Sequence, residues 1–153
     1  NEQILDQCIK SILGKAKILV VENSTNQEFK LSYEEKYPNL EVVLTGSNLG
    51  YGAGNNKGIS LVKTKYVLIS NPDVIYEDDF FNNLKTYIDA DTDFNIIGPV
   101  YRSNDYASHG YFDDLKNNDE IDDTNHLSLI KTHWIVGCTM FINLKKFVCL
   151  KLY

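Results

Sequence analysis

Three short runs, Lys17-Ile18-Leu19-Val20-Val21, Leu40-Glu41-Val42-Val43-Leu44 and Tyr66-Val67-Leu68-Ile69, alternate with stretches whose apolar residues recur at helical spacing. Short runs rich in β-branched residues mark strands covered on both faces. Strands alternating with helices can bury both faces only as a layered α/β domain, with helices packed on a mostly parallel sheet. The first helix is written in Ile4, Leu5, Cys8, Ile9, Ile12 and Leu13, and Gly14 stops it. Asn23-Ser24-Thr25-Asn26 turns the chain and caps a second helix that runs to Tyr37 and ends at Pro38. A third helix is predicted over residues 55–62 and a fourth over 77–88, where acids open the first turn and Phe80, Phe81, Leu84 and Ile88 form the apolar stripe. Residues 94–101 and 134–142 read as two further strands.

Composition narrows the class. With 153 residues, 43% of them hydrophobic, the chain is one domain, too apolar for disorder. No apolar run approaches the ~20 residues of a membrane span, and the opening NEQILDQCIK is not a signal peptide. A net charge of −6 with a single arginine, Arg102, provides no basic face for nucleic acid. The three cysteines, Cys8, Cys138 and Cys149, follow no disulfide or metal spacing, and two sit in apolar patterns. Buried thiols in a reducing compartment, the cytoplasm, are the expectation. His109, His126 and His133 lack ligand spacing, and the acid-rich stretch from 102 to 132 reads as a solvated loop.

In sheets of this kind ligands bind beyond the carboxyl ends of the strands. That rule selects Glu22-Asn23, residues 46–56, and Asn71-Pro72-Asp73. The glycine-rich segment fits neither standard phosphate motif. A dinucleotide fingerprint begun at Gly50 or at Gly52 meets Asn55 or Lys57 where its third glycine belongs, and Lys57 precedes Gly58 instead of following it. Small residues opening a helix still let backbone N–H groups approach a ligand closely. A plain glycine turn is the other reading. Pro72 holds Asn71 extended and projects Asp73 from the sheet edge. There one carboxylate suffices for Mg²⁺, which borrows further oxygens from a diphosphate; a simple turn explains the tripeptide equally. Glu22 can accept hydrogen bonds from a ribose or base, or serve only as a cap.

Four blocks carry a resemblance. These are Val20-Val21-Glu22-Asn23-Ser24-Thr25, the run Asn48-Leu49-Gly50-Tyr51-Gly52-Ala53-Gly54-Asn55-Asn56-Lys57-Gly58-Ile59, the strand and turn from Tyr66 to Asp73, and Trp134-Ile135-Val136-Gly137-Cys138-Thr139-Met140-Phe141-Ile142. In order and spacing they resemble the family 2 glycosyltransferases, most closely the rhamnosyltransferase-like branch, over residues 2–147. The resemblance implies a GT-A (Rossmann-like) α/β fold, a dTDP- or UDP-linked sugar donor, Mg²⁺ or Mn²⁺, and transfer with inversion to a glycan or lipid-linked acceptor in surface polysaccharide synthesis, at or near the inner membrane face. By position, it implies that Glu22, with Asn23, Asn48, Gly50, Gly52, Asn55 and Asn56, lines the nucleotide and sugar. Asn71 would replace the first acid of an Asp-x-Asp-like motif whose second acid, Asp73, meets the metal. Gly137 and its neighbours would lie beside the sugar and acceptor.

The family's first strand, ending in Thr-Tyr-Asn, and its C-terminal segment with the general base have no counterpart here, so the base is expected beyond Tyr153. In the family the first strand lies between those at residues 17–21 and 66–70. Its absence predicts that those two strands either pair directly or accept a strand from elsewhere, and that open edges favour association of copies. Rival readings are a non-catalytic nucleotide-sugar-binding module, a sugar-nucleotide pyrophosphorylase whose signature is not found, and a flavodoxin-like or Rossmann binder of FMN or NAD.

Overall fold

The computed structural model describes residues 2–90, 93–99, 101–103, 106–108, 135, 137–147 and 152. Four helices, α1 (Glu2–Ile12), α2 (Gln27–Lys36), α3 (Tyr51–Leu61) and α4 (Phe80–Ala90), alternate with strands β1 (Ile18–Glu22), β2 (Leu40–Leu44), β3 (Tyr66–Ser70) and β4 (Ile96–Ile97). A small hairpin of β5 (Tyr101–Ser103) and β6 (Tyr106–Ser108) precedes β7 (Thr139–Asn143). The α/β architecture is that of a GT-A-like domain.

β1 and β2 pair in parallel, Ile18 opposite Leu40 through Glu22 opposite Leu44. The connection is α2, capped by the Asn26 side chain, which accepts the Phe29 N–H at 2.9 Å. Ile9, Tyr33, Tyr37, Leu40 and Val42 form the core between this pair and helices α1 and α2, with Ile18 and Val20 packed against it. On α1, Cys8 and Ile12 join Tyr76 in a second cluster, which also gathers Ile18, Leu68, Phe80 and Phe81. One amphipathic helix thus serves both sheets. Lys36 and Tyr37 both donate to the Asp6 carboxylate, tying α2 to α1, and the Lys36 bond holds that carboxyl below its usual range.

The sheet is more mixed than alternation alone suggests. β7 runs antiparallel to both β3 and β4 and lies between them. The β3–α4–β4 unit is therefore the parallel crossover that the alternation foretells, opened by a later strand returning from the carboxyl edge. A two-residue β4 and a β7 that starts at Thr139 replace the longer strands expected at 94–101 and 134–142; Trp134 lies outside the described residues, as do the three histidines, Cys149 and the acids at 113–123.

Nor do β1 and β3 pair. Among the described residues they belong to separate sheets, and no strand lies between them, contrary to both outcomes expected from the sequence. α1 spans them instead. Every residue of β1 is half-buried.

α3 starts at Tyr51, earlier than expected, so the glycine-rich segment is itself helix. Each interior glycine weakens a helix by roughly 0.5–1 kcal/mol relative to alanine, yet packing demands Gly54 and Gly58. A Cβ on Gly58 would stand 2.9 Å from Val21 Cγ2, and one on Gly54 would stand 3.0 Å from Asn23 Nδ2. α4 likewise starts late, at Phe80, because Glu77–Asp79 form the turn before it, the Phe80 N–H reaching the Glu77 carbonyl.

Candidate functional site

β1 ends at Glu22, whose carbonyl accepts the Thr45 N–H at 3.0 Å from the end of β2. Gly46 then donates to the Ser24 carbonyl at 3.1 Å, so the two carboxyl-end loops travel together. Asn48 accepts the Gly50 N–H at 3.0 Å through its side chain. Gly50 has φ 81° and ψ 175°, a conformation open to glycine and strained for other residues. From there the chain enters α3 with the N–H groups of its first turn lacking intrahelical acceptors and the positive end of the helix dipole beside them.

Asn23 holds this start from the strand side. Its Nδ2 donates to the Gly50 carbonyl at 3.2 Å, and its Oδ1 is buried without a hydrogen-bond partner. Tyr51, the next residue on α3, donates its hydroxyl to the Gly137 carbonyl. Asn55 lies within bonding reach of the same phenol, whose pKa is raised by burial. Cys138, next to Gly137, accepts the Asn71 N–H at 2.8 Å. The Asn71 carbonyl is in turn held by the Ser70 hydroxyl at 3.0 Å and the buried Cys8 thiol at 3.7 Å, fixing the turn from which exposed Asp73 projects. Burial raises the Cys8 pKa and keeps it a thiol donor.

Of the residues chosen from sequence, Glu22, Asn23, Asn48, Gly50, Asn55, Asn71 and Gly137 therefore lie along one chain of contacts at the carboxyl edge, with Gly52 in the first turn of α3 and Asp73 exposed in the turn after Asn71. Asn56 stands apart, its amide giving to and taking from the Leu152 backbone at 2.8 Å each way. The hydroxyl of Tyr51 and the carbonyl of Cys138 complete the arrangement; the sequence reading placed them within the selected loop and beside Gly137 without giving either a role of its own. A tyrosine among glycines was the available signal for the first; nothing local marks the second.

Among the described residues no three His, Cys, Asp or Glu side chains gather into a metal cage. A single exposed carboxylate such as Asp73 is compatible with Mg²⁺ or Mn²⁺ only where water and ligand oxygens complete the coordination. A surface cavity of about 630 Å³, lined by Gly14, Lys15, Pro38 and Asn39 among others, opens at the amino ends of β1 and β2, the opposite end from these loops. No described helix is long and apolar enough to cross a membrane.

Compared with known proteins, residues 1–150 match the family described as Glycosyl transferase family 2. The chain is also 30% identical over 105 residues to the low-salt glycan biosynthesis hexosyltransferase Agl10 of Haloferax volcanii, covering 65% of this chain and 33% of that protein. It thus spans about a third of the length of that relative.

Proposed function

The chain belongs to glycosyl transferase family 2, and from that premise we propose that it binds a nucleotide-diphosphate sugar at the carboxyl edge of β1 and β3 and takes part in transferring the sugar, with inversion, to an acceptor hydroxyl. The observation that carries this reading is the unbroken run of contacts from Glu22 and Asn23 through Gly50 and Tyr51 to Gly137, Cys138 and the Asp73 turn. Glu22 and Asn23 face the nucleoside end, where a carboxylate and an amide accept and donate hydrogen bonds. The start of α3 offers backbone N–H groups to the phosphates. Asp73 would hold the divalent ion, which when bound would supply charge neutralisation for a diphosphate leaving group. Asn71 and Gly137 border the sugar.

A dTDP- or UDP-linked hexose is the donor, and a growing surface glycan or its lipid-linked precursor, met at the inner membrane face, is the acceptor. The order of the four sequence blocks supports the rhamnosyltransferase-like assignment, and the relative's hexosyltransferase name supports a hexose. Calorimetry of UDP and dTDP with the full gene product, with and without Mn²⁺, tests the reading. Binding that requires Mn²⁺, followed by turnover of the matching sugar nucleotide, is expected. Binding without turnover over a panel of acceptors would instead mark a nucleotide-sugar-binding module. Metal-independent binding of FMN or NAD in place of UDP or dTDP would overturn both.

A further inference from the structure

Resting on that reading of the site, we propose that Asn23 and Tyr51 are positioning residues that make the first turn of α3 a strut between the two sheets and so fix the width of the donor cleft. β1–β2 and β3–β7–β4 share no ladder among the described residues. α1 ties them through a cluster of Cys8, Ile12 and Tyr76 against which Ile18 of β1 and Leu68 of β3 pack, and through the bonds of Lys36 and Tyr37 to Asp6 and of the Cys8 thiol to the Asn71 carbonyl. The apolar part of that tie is non-directional.

At the carboxyl edge the tie is directional. Asn23, just past β1, donates to the carbonyl of Gly50; Tyr51, the next residue, donates to the carbonyl of Gly137, just before β7. Adjacent residues of one helix start thus reach opposite sheets. The strand-side joint is tight, since the Gly50 carbonyl also accepts the Gly54 N–H at 3.0 Å and a Cβ on Gly54 would press on the Asn23 amide. On the far side the reach comes from a phenol, rigid but for two torsions. Tyr51 is 50% exposed, so its ring adds little to the core, and the hydroxyl is the part that spans the gap.

Two bonds in series across one gap have a recognisable signature. Breaking either releases the strut, and breaking the second then changes little. Two residues acting independently on the donor would give losses that multiply. The test uses UDP and dTDP with Mn²⁺ as probes, by calorimetry on the full gene product. Tyr51→Phe is expected to weaken the nucleotide that binds by about threefold to tenfold, the worth of one ordinary hydrogen bond. In an Asn23→Ala background the same change should alter affinity by less than about twofold. Unchanged affinity in Tyr51→Phe, or multiplied losses in the double variant, would overturn the strut.

A second measurement needs no nucleotide. The Cys138 N–H belongs to the same peptide group as the Gly137 carbonyl, so Tyr51→Phe should shift that amide resonance while leaving those of Ile9 and Val42 in place. A stationary Cys138 resonance also overturns the proposal. If the wild-type protein binds neither nucleotide, the proposed function falls, and the Cys138 resonance decides whether the tether exists.

Discussion

Gly58→Ala probes the contact that lets α3 lie on β1. The new Cβ would sit 2.9 Å from Val21 Cγ2, whereas carbon atoms prefer about 3.5–4.0 Å, so the pair must part by roughly 0.6–1.1 Å. Valine cannot swing clear, because branching at Cβ restricts its χ1. Overpacking of this kind costs about 1–3 kcal/mol. Alanine in place of a helical glycine returns about 0.5–1 kcal/mol. The balance is a loss of about 0–2.5 kcal/mol. Removing the obstructing methyl groups reverses the sign: in a Val21→Ala background, Gly58→Ala should stabilise by about 0.5–1 kcal/mol. The coupling between the two sites is then about 1–3 kcal/mol. Urea unfolding of the four variants measures it, with slopes unchanged so that midpoints report stability alone. A stabilising Gly58→Ala in the wild-type background, or strict additivity, would refute the idea that packing against β1 is what requires the glycine.

Three further outcomes are expected. Asp73→Asn should abolish the Mn²⁺ dependence of nucleotide binding while changing stability by less than about 0.5 kcal/mol, since the side chain is exposed; calorimetry with parallel thermal melts checks both halves. Asn26→Ala removes the acceptor of the Phe29 N–H at the start of α2 and should destabilise by about 1 kcal/mol in urea. Burial pushes the Tyr33 phenol up to about 12, above its unfolded value near ~10; the stability it confers is full below that unfolded value and fades as pH rises toward 12. Tyr33→Phe should therefore flatten the alkaline limb of stability against pH, and an unchanged limb would show that this phenol contributes nothing there.

Local chemistry made much of this protein legible in its sequence. Apolar, β-branched runs defined β1, β2 and β3 almost to the residue; those of β1 and β3 carry no polar interruption, whereas Glu41 interrupts β2 on its exposed face. Asn26 and Pro38 bounded α2 through capping and the missing proline N–H, both properties of one or two residues. The loops after β1, β2 and β3 were selected by the same logic, since a strand's carboxyl end is where a parallel crossover leaves backbone groups free.

Tertiary structure decided what no local pattern encodes. The start of α3 at Tyr51 followed from close packing against Val21 and Asn23, which outweighed the poor helix propensity of three glycines. β7 entered antiparallel between β3 and β4 because pairing direction depends on where a distant segment returns, and its own apolar run reads the same either way. β1 and β3 stayed in separate sheets, spanned by α1, although both carry the sequence of interior strands. Asn56 was drawn to the Leu152 backbone, while the Tyr51 hydroxyl reached the Gly137 carbonyl 86 residues away in sequence and the Asn71 N–H reached the Cys138 carbonyl. Propensity and capping act over a turn or two of chain, and a sequence displays them; a bond between partners so far apart exists only once the fold has brought them together.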